Sequence, residues 1–312
     1  MKRILTGWLL LITVAVAAQE KSTSLFFISD TQQPMLVEKL WLKPNHNRLA
    51  TATLLENIET DRPRSVFMLG DVVGLGCSPR KWKKVDVFLK DCRAAGTDVF
   101  GLLGNHEVMM KPRKGERLFQ QRFPANVRTG YYTITDSVAV VMLNSNFNAL
   151  AASDQKIQNE WYRRTMVTLD QDEAVRAIIV CCHHAPFTNS TIVKCNPLVQ
   201  ENFVPAFLSS NKARLFITGH AHAFEHFRRQ GKDFLVIGGG GGLHQPLHEG
   251  KNSLDDLALD YKPMFHYLSV QRDGNELKVQ SRYVKNDFSG LSQGLVFETK
   301  TQGQQIAARA VN

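Results

Sequence analysis

Six side chains suited to holding metal stand where apolar runs of the chain stop. Asp30 follows 24–29, Asp71 follows 65–70, Asn105 follows 99–104, His183 follows 177–182, and His220 and His222 follow 214–219. Short apolar runs bounded by glycine or polar residues suit buried strands of a parallel sheet. The carboxyl ends of such strands open onto the crevice where α/β proteins bind ligands. Five strand ends in one crevice would bring two Asp, one Asn and three His together. Such mixed oxygen and nitrogen donors suit Zn, Mn or Fe, and neither a thiolate cluster nor an all-oxygen Ca site. The set is too large for one catalytic ion with an open position and about right for two. On spacing alone the purpose of His106 is open, and either His183 or the adjacent His184 can supply a ligand.

The elements that must position these residues alternate along the chain. Leu36–Glu59 has helical spacing, and Lys81–Ala95, with Trp82, Val85, Phe88 and Leu89 on one side, predicts the helix before the run at Val99. Strand, helix, strand predicts a parallel pair. Lys111–Arg128 reads as irregular. Beyond it, Tyr131–Thr135 and Ser137–Leu143 predict strands, and Asp154–Leu169 a helix whose Ile157, Trp161 and Tyr162 pack in the core. Ala177–Cys182, Arg214–Thr218 and Phe234–Ile237 predict further strands, with a helix over Val199–Ser209. Gly238 to Gly242 suit either close backbone approach to a phosphate or a flexible loop. In the tail, Phe265–Arg272 and Glu276–Tyr283 flank Asp273-Gly274-Asn275, an Asp-Gly hairpin signal, and Gly294–Thr299 offers a last strand.

The ordered set of Asp30, Gly70-Asp71, Gly104-Asn105-His106-Glu107, His183-His184 with Pro186, and Gly219-His220-Ala221-His222 resembles the calcineurin-like metallophosphoesterase superfamily. The resemblance spans roughly Leu25 to Gly242, and the run from His220 to Phe227 looks like the purple acid phosphatase branch. The ordered combination is specific, whereas a lone Gly-Asp carries almost nothing. The resemblance implies a four-layer α/β/β/α sandwich with two mixed β-sheets flanked by helices. It also implies two divalent or trivalent metal ions (Mn, Fe or Zn) and hydrolysis of a phosphate ester by hydroxide held on the metal pair. A phosphomonoester is the expected substrate, a phosphodiester the alternative. Residue by residue, Asp71 becomes the bridging carboxylate, Asp30 and His222 belong to the first metal, and Asn105, His183 and His220 to the second. His106 falls outside the coordination shell as proton donor to the leaving oxygen, and His184 takes a substrate-binding role. Glu107 reads as a helix-start group or one that orients a neighbouring His.

One position departs from the pattern. Many members carry Asp-x-His at the first motif, and here Asp30-Thr31-Gln32 ends in an amide, which offers a metal only its carbonyl oxygen. The Tyr that purple acid phosphatases place three residues after the bridging Asp is Gly74 here, so an iron–tyrosinate centre is not expected. Gln32 is expected to ligate weakly or hold a water, with the first metal bound less tightly and harder ions favoured. A chain whose first site Gln32 had dissolved would instead be a non-catalytic envelope binding protein of the same fold.

With 43% hydrophobic and 21% charged residues and no low-complexity linker, residues 19–312 read as one globular domain. Residues 1–18 have the form of a secretory signal peptide: Lys2 and Arg3, an apolar run, then small residues Ala15, Ala17 and Ala18. A membrane span needs about 20 apolar residues, which Ile4–Ala18 does not reach. Cleavage, a secreted or periplasmic destination in a bacterial envelope and no stable membrane insertion are therefore expected. The five cysteines are odd in number and lack CxxC zinc spacing; Cys77 and Cys92 form the candidate disulfide, and Cys181 and Cys182 read as buried. A net charge of +9 favours anions, and a phosphorylated small molecule is the expected partner. The cations are scattered without a nucleic-acid-binding signature, so nucleic acid is not expected. His46, His226, His244, His248 and His266 lie outside any motif, and exposure or local hydrogen bonding is expected of them.

Overall fold

Residues along the strands alternate between two buried faces. In β1 (Leu25–Ile28), Leu25 and Phe27 join one core and Phe26 and Ile28 another, which is why the sequence shows an unbroken apolar run. The computed structural model describes residues 23–35, 38–40 and 42–299; the expected signal peptide lies outside them. Its first sheet has the order β12 (Leu291–Glu298), β11 (Glu276–Val284), β10 (His266–Asp273), β1, β2 (Ser65–Met68), β3 (Asp98–Gly101). The second has the order β4 (Tyr131–Thr135), β5 (Val138–Met142), β6 (Ala177–Cys181), β7 (Ala213–Thr218), β9 (Lys232–Ile237), β8 (Phe224–Arg229). Strands β1 to β3 run parallel, as do β5, β6, β7 and β9. The expected hairpin joins β10 to β11, with Asp273 paired to Glu276.

Between the sheets, Leu25, Phe27 and Phe67 meet Val140, Ile179 and Leu215. Behind the first sheet, Phe26, Ile28 and Val66 pack on α1 (Asn47–Asp61), α2 (Pro79–Ala94) and, beyond the four-residue α3 (Asn105–Val108), α4 (Pro112–Gln120). Behind the second, Val141, Ile178 and Phe216 pack on α5 (Ala152–Gln171), α6 (Pro197–Asn202) and α7 (Val204–Ser209). Each fully buried Leu, Ile or Phe contributes about 1.5–3 kcal/mol. The result is the expected four-layer sandwich. Among the described residues no helix is long and apolar enough to cross a membrane.

Several elements differ from the sequence expectation. α1 starts at Asn47 rather than near Leu36, because Pro44 lacks an N–H and keeps its predecessor extended; His46 enters α1 at φ 51°. α4 lies in the stretch read as irregular, since it buries only Gly115 and Phe119 and its basic, exposed face dominates the composition. The helix expected over Val199–Ser209 divides at Phe203, because Pro205 cannot donate an N–H to Glu201. β8 was unforeseen, its buried positions including Glu225 and His226. All five cysteines are free, and Cys77 and Cys92 lie towards opposite ends of α2, about 20 Å apart at helical rise. Tyr162 is buried as expected, Trp161 packs partly buried against the same core, and Ile157 is exposed.

Candidate active site

The first sheet delivers oxygen donors to the crevice. Asp30 and Asp71 follow β1 and β2 in the left-handed region, at φ 58° and 48°, and His220 after β7 does the same at φ 67°. Sparsely populated conformations of this kind cost roughly 1–3 kcal/mol each and cluster at functional sites. Gly219 lets the second sheet close on Asp30, since a Cβ there would lie 2.4 Å from Asp30 Oδ2. The adjoining N–H of His220 donates to that oxygen at 3.0 Å.

Nitrogen donors come from the second sheet. His183 Nδ1 donates to Leu69 O at 2.9 Å, and its Nε2 stands 3.1 Å from Asn105 Oδ1 and 3.3 Å from Asp71 Oδ2. His222 repeats the device, with Nδ1 donating to Leu243 O at 2.8 Å and Nε2 3.4 Å from Asp30 Oδ1. A carbonyl only accepts, so it fixes the Nδ1–H tautomer and leaves Nε2 to bind a cation. The rings of His183 and His184 lie 5.1 and 4.5 Å from that of His220. Ligand atoms of His183, His184 and His220 all lie within 4.8 Å of one another, as do those of Asp30, Asp71 and His183. His183 is therefore common to two adjoining clusters.

Electrostatics shows what this arrangement lacks. Burial opposes a proton on His183, yet Asp71 outweighs it and pushes the pKa up to about 10. Asp71, despite its own burial, is held well below the carboxylate range, chiefly by His183. Burial, then His184 and His183, drive His220 well below its ordinary value.

Gln32 completes the donor set in the orientation that satisfies its amide nitrogen. Its nitrogen donates to Asp30 O at 3.0 Å and Asp71 O at 2.8 Å, which aims Oε1 at His222 Nε2, 3.2 Å away. Asp30 Oδ1 is buried without a hydrogen-bond partner. Among the described residues no Lys or Arg forms an ion pair with Asp30 or Asp71; their ion-pair partners are histidines. Buried carboxylates facing lone pairs call for positive charge. These residues fit a pair of metal ions, with Asp30, Gln32 and His222 on one side, Asn105, His183 and His220 on the other, and Asp71 between.

His106 stands beside this set. Its N–H donates to Asp71 Oδ1 at 2.8 Å, Nδ1 donates to Gly74 O at 3.0 Å, and Nε2 lies 3.7 Å from Asp71 Oδ2. Burial lowers its proton affinity, but Asp71 more than offsets this and the pKa is raised. Glu107 sits in the first turn of α3, as expected of a helix-start group, and its hydrogen bonds go to backbone rather than to a histidine. It accepts the N–H groups of Gly104 and Asp71 at 2.8 Å, Val72 at 3.0 Å and Val73 at 3.3 Å, tying the turn after β2 to α3.

Gly238 to Gly242 are buried rather than flexible. A Cβ on Gly242 would lie 2.4 Å from His222 Cε1, and Asn47 Nδ2 donates to Gly241 O and Gly242 O at 3.0 and 2.9 Å. The loop is a rest for His222. Ser145 was missed: it pairs with His184 Nδ1 at 2.8 Å and accepts the His184 N–H at 3.0 Å. Its place just past β5, level with other site-bearing strand ends, was the available signal. His226 is buried with Nε2 2.8 Å from Asp233 Oδ1, and His266 is buried beside the backbone of Pro263.

Comparison with known proteins agrees with this geometry. Purple acid phosphatase PPD1 from yellow lupin (Lupinus luteus) seeds superposes with a TM-score of 0.66 at 14% identity, over 88% of this chain and 53% of that one. This chain thus spans about half the length of the lupin chain. GAP50, the anchor in the inner membrane complex of Plasmodium, gives 0.60 at 13% identity over 91% and 93% of the two chains. A dimetal phosphatase from Danio rerio gives 0.54 at 13% identity over 89% and 99%. Identities this low speak to the fold alone. The sequence family described as calcineurin-like phosphoesterase matches residues 23–224, a span that runs from before Asp30 to beyond His222, and the chain belongs to that family.

Proposed function

We propose that the protein is a metal-dependent phosphomonoesterase, exported to a bacterial envelope or secreted, that hydrolyses a phosphorylated small molecule. The observation that carries this reading is His106: outside the donor set, it commits Nδ1 to Gly74 O and turns Nε2 towards Asp71 at 3.7 Å. A binding site needs no acid there; ester hydrolysis does, to protonate the leaving oxygen. When bound, a metal pair supplies Lewis acidity and activates water. The chain holds the scissile group between the sheets, and His106 carries the proton at Nε2, favoured by Asp71. In this reading the Ser145 hydroxyl, which accepts the His184 N–H, gives its own hydrogen to Nδ1 and leaves Nε2–H of His184 to donate to a phosphate oxygen. Burial, then His183, lowers the His184 pKa to about 3 and keeps that ring neutral.

Protein reconstituted with Mn, Fe or Zn is expected to hydrolyse p-nitrophenyl phosphate faster than bis-p-nitrophenyl phosphate; the reverse preference would make it a diesterase. His106→Ala should lose about 10²–10⁴-fold in kcat at unchanged metal content, and Asp71→Ala should lose both activity and metal. Gln32 motivates a second reading, a non-catalytic binding protein, which predicts one metal per chain and no turnover with any added ion.

A further inference from the structure

Two adjoining cavities lie between the loop after β1 and the starts of α1 and α2. The outer, about 610 Å³, is lined by Gln33, Lys39, His46, Asn47, Arg48 and Lys84 among others. The inner, about 90 Å³, adds Thr31, Gly74 and Lys81 to Arg48 and Lys84. Among the described residues, no carboxylate lines either one. Among the described residues, Lys39, Arg48, Lys81 and Lys84 take part in no ion pair. Glu38, next to Lys39, is turned to the Met35 N–H.

The helices sharpen the imbalance. The first turn of a helix favours acidic residues, because the N-terminal end of the macrodipole is positive. Neither α1 nor α2 has an acid there; Arg48 and Lys81 occupy those turns instead. Unpaired cations and two positive helix ends around one hollow give a field that attracts anions.

The metal donors themselves line neither cavity, but Thr31 and Val72, which follow Asp30 and Asp71, line the inner one. Gln33 follows Gln32 in the chain. Asn47 holds the loop on which His222 rests, and Gly74 accepts the Nδ1–H of His106. We propose that this double cavity is a subsite for a second phosphate group of the substrate, so that the preferred substrate is a bisphosphorylated small molecule. Its substrate half rests on the phosphatase reading; its anion-binding half does not.

The test uses metal-loaded protein and inositol hexasulfate, a polyanion with no phosphate ester to hydrolyse. Calorimetry should show binding that weakens with salt and is about tenfold or more weaker in an Arg48→Gln/Lys84→Gln variant. Both positions are exposed, so an unaltered melting curve confirms the variant's fold, and Arg48→Glu/Lys84→Glu should weaken binding further. The preference in kcat/KM for fructose bisphosphate over fructose monophosphate should fall by a similar factor. Absent binding, or equal binding by the charge variants, overturns the anion site. Lost binding with an unchanged preference overturns its part in substrate recognition. Hexasulfate binding without turnover of any ester overturns the phosphatase reading and leaves the anion site standing.

Discussion

Glu107 and Asp71 hold each other's turns: Glu107 Oε2 accepts the Asp71 N–H at 2.8 Å, and Asp71 Oδ1 accepts the N–H of His106, the neighbour of Glu107, at 2.8 Å. Glu107→Ala would leave four buried N–H groups without their acceptor. At about 1–3 kcal/mol for an unsatisfied buried donor, a loss of about 3 kcal/mol or more is expected. Calorimetric melting should reveal it, accompanied by reduced metal content. Unchanged metal content would mean that Asp71 keeps its position unaided.

Gln32→Ala should weaken one of the two metals by about 10–100-fold and spare the other, because Gln32 Oε1 faces only His222 and the Asp30 side. Gln32→His replaces oxygen with nitrogen and should shift that site's preference from Mn towards Zn. Titration calorimetry with each ion checks both. Equal weakening of both sites in Gln32→Ala would refute the assignment.

Gly242→Ala places a methyl 2.4 Å from the His222 ring and should displace His222, lowering occupancy of the first metal. Gly250→Ala is the control. That position, at φ +66°, has nothing within 4 Å, so the cost is confined to backbone strain of about 1–2 kcal/mol and metal content should hold. Metal analysis alongside thermal melting separates the two.

Burial holds the Glu225 carboxyl up at about 7, above the value of about 4.3 for a free Glu. A raised carboxyl pKa contributes stability that is complete below the unfolded value and is lost as pH rises through 7. Between about pH 5 and pH 8, stability should therefore fall by about 1–3 kcal/mol from this group. Glu225→Gln, which cannot ionise, should flatten that part of the melting curve. An unaltered slope would show that the bonds from Thr188 and Asn189 keep Glu225 ionised throughout.

Asp30, Asp71, Asn105 and His183 were legible because buried parallel strands read as apolar runs, and a polar residue at the end of one stands out. The same contrast hides α4, whose exposed face dominates its composition, and β8, where Glu225 and His226 are buried among partners from distant loops. Ser145 escaped notice because a hydroxyl carries no metal signature, and its role appears only once β5 lies beside β6. Gly238 to Gly242 stayed ambiguous for a related reason. Glycine signals either freedom or crowding, and only the packing of Asn47, Thr51 and His222 decides for crowding.

Neither sheet carries a full donor set for even one ion. The Asp30 and Gln32 oxygens come from the first sheet and meet His222 from the second; Asn105 comes from the first and meets His183 and His220 from the second. On the proposed assignment, metal capture would depend on the two sheets having docked in register, because a slip of one residue between them would part the oxygens from the nitrogens. Occupancy would then be a checkpoint on assembly: two bound metals would rivet the seam, and a misdocked chain would have no means of acquiring them.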